Sequence, residues 1–320
     1  MEDPTPKLDP QEMPDENASE ETAQEAAERQ SRADIKETRR VLRLVQDHIA
    51  TAHLKVGAQQ EAHGLVEVVS HPTSELATLN YVTPRKNTAW IPAPEIQKGL
   101  EHLRKLNRVA RVTYVEGLFP PIFSKSLMQL GLVVEFETPI MVYDLREFDA
   151  TKNTASGKST GVSVRAVSDQ DGIGMWWYVW RNAYYDVLTG NIEPIKIGHE
   201  MAQIVSGDQI DLLLYRGDLP VGAARVTVHN TTAHLTTLAI MKEVRTPALI
   251  RALYDATLNT AAERGCELLF TSGDTESDRH LGREIGFIDS GSVVCYSEPK
   301  LGLQQDKNDG NLAQPVFALP

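Results

Sequence analysis

Cysteine is scarce: the 320 residues include only Cys266 and Cys295. Both lie in strand-like runs, which excludes a disulfide scaffold and predicts two buried free thiols in a reducing cytoplasm. No Cys/His group shows ligand spacing along the chain, so no metal is expected. Long apolar runs are missing too, and no stretch approaches the length that spans a bilayer. The first residues lack the basic region and apolar core of a secretory signal. Positive charge is in deficit, since 32 Lys and Arg against 44 Asp and Glu leave a formal charge of −12. Such a chain is repelled by nucleic acid and by anionic membranes, so neither is an expected partner. Hydrophobic content of 41% and charged content of 24% are those of a globular protein, expected in the cytoplasm and long enough for two domains.

Residues 1–32 are rich in Glu, Asp, Pro, Gln and Ala and read as a disordered acidic tail. Across 33–56, Ile35, Leu42, Val45, Ile49 and Ala52 recur at three- and four-residue steps, placing them on one helical face. That face fits a helix docked on the body, with a dimerising coil, and hence a homodimer, as the alternative. Residues 57–150 contain strand-like runs at Leu65–Val69, Ala77–Val82, Ala89–Ile91 and Arg111–Val115. Two helices are expected there, from Ala93 to Leu106 and from Pro121 to near Gly131. Leu132–Phe136 and Ile140–Tyr143 read as a hairpin-like pair. The small polar stretch 151–161 reads as a linker. Its Gly157-Lys158-Ser159 triplet lacks the leading glycine and preceding strand of a P-loop and is rejected as one. Residues 162–297 read as strand, two helices, three strands, long helix, strand, short helix and strand, and 298–320 as a mobile tail.

The halves echo one another. EHLRKLNRVARVTYVEG matches NTAAERGCELLFTSGD, SLMQLGLVVEFETPIMVYD matches HLGREIGFIDSGSVVCYS, and LATLNYVTPR matches LTTLAIMKEVR. The first half is too short for the opening elements of the second, so 57–150 is expected to be a truncated copy. Chance similarity between two α/β segments is the alternative.

With its segment AHLTTLAIMKEVRTPALIRALYDATLNTAAERGCELLF and its Gly286-Phe287 pair, the second half resembles the GNAT superfamily of acetyl-CoA-dependent N-acetyltransferases over essentially all of 162–297. The resemblance implies an α/β (α+β) fold, with a mixed, mostly antiparallel central sheet flanked by helices. It implies acetyl-CoA as cosubstrate and a small-molecule or protein amine as acceptor. Leu238, Ala239 and Ile240 match the strand along which the family lays the pantetheine arm. Arg245, Thr246, Ala248 and Ile250 match its pyrophosphate loop, where backbone N–H groups meet phosphate at a helix N-terminus. Two family glycines are Ala248 and Ile250 here, and Pro247 has no N–H to donate. Thr246 and Pro247 equally suit a plain helix start.

His234 matches the central-strand acid of the family and is the candidate base. The family's thiolate-protonating Tyr is replaced by Gly282, leaving Tyr184, Tyr185 and Tyr254 as substitutes. The aromatic run MWWYVWRNAYYDV puts Trp177, Trp180 and Tyr184 on one face, an acceptor wall or a core stripe, with Glu193 and Glu200 near the same cleft. Two functions are therefore open: an N-acyltransferase, or a degenerate module of the same fold that binds a metabolite or a partner protein.

Overall fold

The computed structural model describes residues 16–86, 88, 90–148, 161–187 and 191–299, with side chains from residue 30 onward. The chain divides into two units, 1–40 and 41–320.

Within the first unit the backbone is already helical from Glu16, the start of α1 (Glu16–Lys55). The tail expected over 1–32 is thus corrected across 16–32. Glu, Ala, Gln and Arg, which made this stretch look too polar to fold, are also among the best helix formers. Local pairs support the helix, Gln30 donating to Asp34 at 2.9 Å and Arg40 meeting Glu37 at 2.9 Å.

The second unit is built on one sheet that contains eleven strands among the described residues. In chain order they are β1 (Gln59–His63), β2 (Val66–Ser70), β3 (Tyr81–Pro84), β4 (Arg111–Val115), β5 (Val133–Asp144) and β6 (Val162–Ala166). They continue as β7 (Gln209–Arg216), β8 (Leu219–His229), β9 (Thr232–Ile240), β10 (Leu268–Ser272) and β11 (Ile288–Ser297). The helices after α1 are α2 (Ala93–Lys105), α3 (Ile122–Gln129), α4 (Gln170–Tyr185), α5 (Pro194–Ser206), α6 (Pro247–Glu263) and α7 (Glu276–Ile285).

The strand order is β1-β2-β3-β4-β11-β5-β10-β9-β8-β7-β6. Exchanging β1 through β5 for β7 through β11 maps this order onto itself reversed, with only β6 lacking a counterpart. The echo in the sequence is therefore an echo in topology, and α2 and α3 stand where α6 and α7 stand. The last strand of each half crosses over: β11 pairs with β4, and β5 pairs with β10. Backbone hydrogen bonds thus join 57–150 to 162–297 in one sheet. Of the linker expected at 151–161, only Gly161 lies among the described residues, and the rejected Gly157-Lys158-Ser159 triplet lies outside them. The expected tail falls outside them beyond Pro299.

Three local expectations are revised. The hairpin-like pair at 132–143 is a single strand, because Glu137, Thr138 and Pro139 offer no turn and β11 pairs along their whole length. Ala77–Leu79 is a 3-10 helix rather than strand, so its echo with Leu235–Ile240 fails. Trp90 and Ile91 are not in a strand, and Ala89 lies outside the described residues.

Alternation along the strands divides the core into two layers. Met141 and Leu269 face α6 with Leu253 and Leu258, while Val112 and Tyr114 face α2 with Leu100 and Leu103. On the opposite face Ile140, Val142, Leu268, Phe270 and Val293 receive Leu42 and Val45 from residues 41–55 of α1. That segment lies over the pseudo-twofold axis and sends one buried histidine toward each half. His48 Nε2 meets Thr227 Oγ1 on β8, and His53 Nδ1 meets Tyr81 Oη on β3, both at 2.9 Å.

Candidate functional site

The site begins where two parallel strands part. β9 and β10 pair from Thr232 with Leu268 to Leu235 with Thr271, and the Thr271 hydroxyl donates to Leu235 O at 3.0 Å on the last rung. Beyond it β10 stays with β5, while β9 continues to Ile240 paired only with β8. Thr236 is the extra residue of a bulge, since Arg225 pairs with Thr237 and Val226 with Leu235. A bulge of this kind bends the strand and re-aims its edge. Leu238, Ala239 and Ile240 therefore lie on an edge that no other strand covers among the described residues. The Tyr184 hydroxyl, from the end of α4, donates to Leu238 O across this opening at 3.5 Å.

The residues matched to the family's pyrophosphate loop sit directly downstream. Arg245, Thr246 and Ala248 are exposed at the start of α6. Thr246 caps the helix by accepting from Leu249 N at 3.4 Å, Ile250 N donates to Thr246 O, and Pro247 occupies the first turn. The Ile250 side chain packs against the core under α6. The first turn thus satisfies most of its own donors and leaves Ala248 N–H as the amide to offer an anion. Where the family has its Tyr, a Cβ on Gly282 would stand 2.8 Å from Met141 Cε, so no larger side chain fits without displacing Met141. Tyr254 is buried against Phe287. Tyr184 keeps 44% of its surface exposed. Burial, then Asp278, raises the pKa of both hydroxyls.

Beside Thr236 a cavity of about 430 Å³ opens between α5, the sheet and residues 48–55 of α1. His234, Glu193 and Glu200 are among its lining residues. His234 is stacked on Phe270 at 4.2 Å between centroids, and its pKa is held well below the usual value by burial, then by His48 and His53. It is therefore neutral, but its imidazolium is penalised, which makes it a weak base. Trp177 and Trp180 pack in the layer between α4 and the sheet, and neither lines the cavity.

Arg225 and Glu200 in the cavity lining join Asp211 behind them in an ion-pair triad invisible in the sequence. Arg225 donates to Asp211 at 2.7 and 2.8 Å and to Glu200 at 2.7 Å, while Trp177 Nε1 donates to Glu200 at 2.9 Å. The Arg225 guanidinium also lies 4.0 Å from the Trp176 ring centroid. Burial pushes the Asp211 carboxyl up while Arg225 opposes it. Arg225 is central in β8 and Asp211 opposes it on β7, so register alone creates this pair.

The fold that carries these elements is shared with solved structures. A GCN5-related N-acetyltransferase from Kribbella flavida superposes with TM-score 0.61 at 17% identity, over 81% of this chain and 95% of that one. The fold is that of the GCN5-related N-acetyltransferases. A tandem GNAT protein from the clavulanic acid biosynthesis pathway superposes with TM-score 0.52 at 15% identity, over 72% of this chain and 77% of that one. A GNAT protein from Sphaerobacter thermophilus does so with TM-score 0.51 at 13% identity, over 72% and 79%. No protein-family model and no curated protein matches the sequence. At these identities the likeness establishes the GNAT fold and leaves the reaction to be argued from the site. No helix among the described residues is long and apolar enough to cross a membrane.

Proposed function

We propose that this protein is an acyl-CoA-dependent N-acyltransferase that moves an acetyl group from acetyl-CoA to an amine entering the cavity beside Thr236. The observation that carries the reading is the parting of β9 from β10 after Leu235, which leaves the edge of Thr236–Ile240 open next to that cavity. An extended pantetheine arm satisfies such an edge by strand addition. Arg245 and the Ala248 N–H stand downstream for the phosphates. The acceptor nitrogen attacks the thioester carbon, the C–S bond breaks, and the thiolate takes a proton from the Tyr184 hydroxyl beside Leu238. The proton lost by the amine leaves through water in the cavity, with neutral His234, a weak base, able to relay it without holding it. The glutamates at 193 and 200 favour a cationic acceptor at the wall.

A second reading, a degenerate module that recognises a metabolite or partner without acyl transfer, is favoured by the self-capped start of α6. Calorimetric titration with acetyl-CoA separates the two. The first reading expects a dissociation constant in the micromolar range, about −8 kcal/mol, weakened about tenfold in Arg245→Ala. Absence of binding would transfer the conclusion to the second reading. Binding without acetyl transfer to any of a broad amine panel would leave recognition alone.

A further inference from the structure

At the far edge of the sheet, seven strand positions from β9, a second group of side chains has no part in acyl transfer. Glu61 and His63 are two residues apart on β1 and so point to the same face. His102 reaches them from α2. That helix is fixed over the β1–β2 hairpin, because Glu95 accepts from Leu65 N at 3.2 Å in the turn. Glu95 and His102 lie seven residues apart, two helical turns, and so on one face. Gly64 takes a positive φ of 63° in that turn, and a Cβ there would collide with the Glu95 carboxylate.

Two distances and one burial decide what the group can be. Glu61 Oε1 lies 3.4 Å from His63 Nε2, and Glu61 Oε2 lies 3.6 Å from His102 Nε2. Both exceed the N–H···O range of about 2.7–3.2 Å. His63 Nε2 is nevertheless shielded from solvent and has no hydrogen-bond partner, an expensive state for a polar atom. The rings of His63 and His102 are 4.3 Å apart between centroids, so both imidazoles converge on the same carboxylate. Ligands at about 2.0–2.1 Å from a tetrahedral ion stand about 3.3–3.4 Å from one another; Glu61 stands 3.4 and 3.6 Å from the two imidazoles, and one donor atom from each of the three residues lies within 4.8 Å of the others. Two imidazoles and a carboxylate are a donor set for zinc and its neighbours rather than for calcium or magnesium.

We propose that Glu61, His63 and His102 bind one zinc-type divalent ion, which fastens the edge strand β1 to α2. The site does not depend on the acyltransferase reading. It departs from the expectation of no metal because its ligands come from a strand and a helix 39 positions apart at their closest. β1 pairs only with β2, and an ion there holds an exposed strand in place against fraying and against edge-to-edge pairing.

The test is calorimetric titration of Zn²⁺ into the full chain stripped with chelator and free of any affinity tag, with Co²⁺ as a spectroscopic probe. About one equivalent is expected to bind with a micromolar or tighter dissociation constant, with Co²⁺ absorbance of tetrahedral intensity and a raised melting temperature. His63→Ala and His102→Ala should each weaken binding about tenfold or more, while His280→Ala, an exposed histidine on α7, should not. Circular dichroism verifies that each variant is folded, and Glu61→Gln gives a milder third variant. No stoichiometric binding, or binding untouched by the His63 and His102 variants, would overturn the proposal.

Discussion

The two halves of the sheet share a topology and differ in what they leave open. β9 runs nine residues and overshoots its partner β10, whereas β3 runs four and meets β4 at a single rung, Val82 with Val112. The cavity beside β9 has about 430 Å³, and the one beside β3 about 140 Å³. In the second half, α4 and α5 stand in front of the opening with Tyr184 and Glu200, and the described residues of 57–148 contain no counterpart to either helix. The comparison teaches that the paired sheet and its two helices are scaffold. What makes a site is the overshooting strand, the bulge at Thr236 and the helices that wall it. The first half keeps the scaffold and contributes residues 41–55 of α1 as a shared lid on both cavities.

The largest expected asymmetry lies in the buried charges. Arg225→Ala strands Asp211 and Glu200 without their cation and should cost about 3–5 kcal/mol. Arg111→Ala removes the more exposed pair with Glu135 in the first half and should cost about 1.5–3 kcal/mol. Urea midpoints compare them, and equal losses would break the distinction between a walled site and a scaffold. Next is catalysis. Tyr184→Phe should lower turnover about a hundredfold with acetyl-CoA affinity retained, whereas Tyr81→Phe at the other cavity should leave turnover near wild type. Steady-state assays with an identified amine read both, and an active Tyr184→Phe would remove that hydroxyl from the proton path.

The smallest effect is in pH. Burial lowers His48 to a pKa of about 3 and His53 to about 4. Both are below the unfolded value near 6.5, so the folded state binds fewer protons. Their contribution is full above pH 6.5 and is lost as pH falls through about 4 for His53 and about 3 for His48. Each should remove up to about 1.4 kcal/mol per pH unit in that window. His48→Gln and His53→Gln should each flatten the stability profile by one such increment, on the second-half and first-half sides of α1 respectively. A profile unchanged by either would mean that the histidines protonate freely in place.

The sequence alone carried the order of elements in 162–297, the strand through Leu238–Ile240, the Thr246-Pro247 helix start and the duplication. Each of these is a local pattern: periodicity, capping chemistry or a repeated string. Two errors had local causes as well. The helix from Glu16 was masked by polarity that serves helices and disordered tails alike, and β5 looked like a hairpin because Glu137, Thr138 and Pro139 separate its two apolar runs. Glu200 was legible only as a residue near the cleft, and its pairing with Arg225 and Asp211 was not legible at all. Only the tertiary structure decided that the halves exchange their last strands, that His48 meets Thr227 in one half and His53 meets Tyr81 in the other, and that Glu61 and His63 meet His102. Register and crossing set those encounters, and both follow from which faces bury together rather than from any residue's neighbours in the chain.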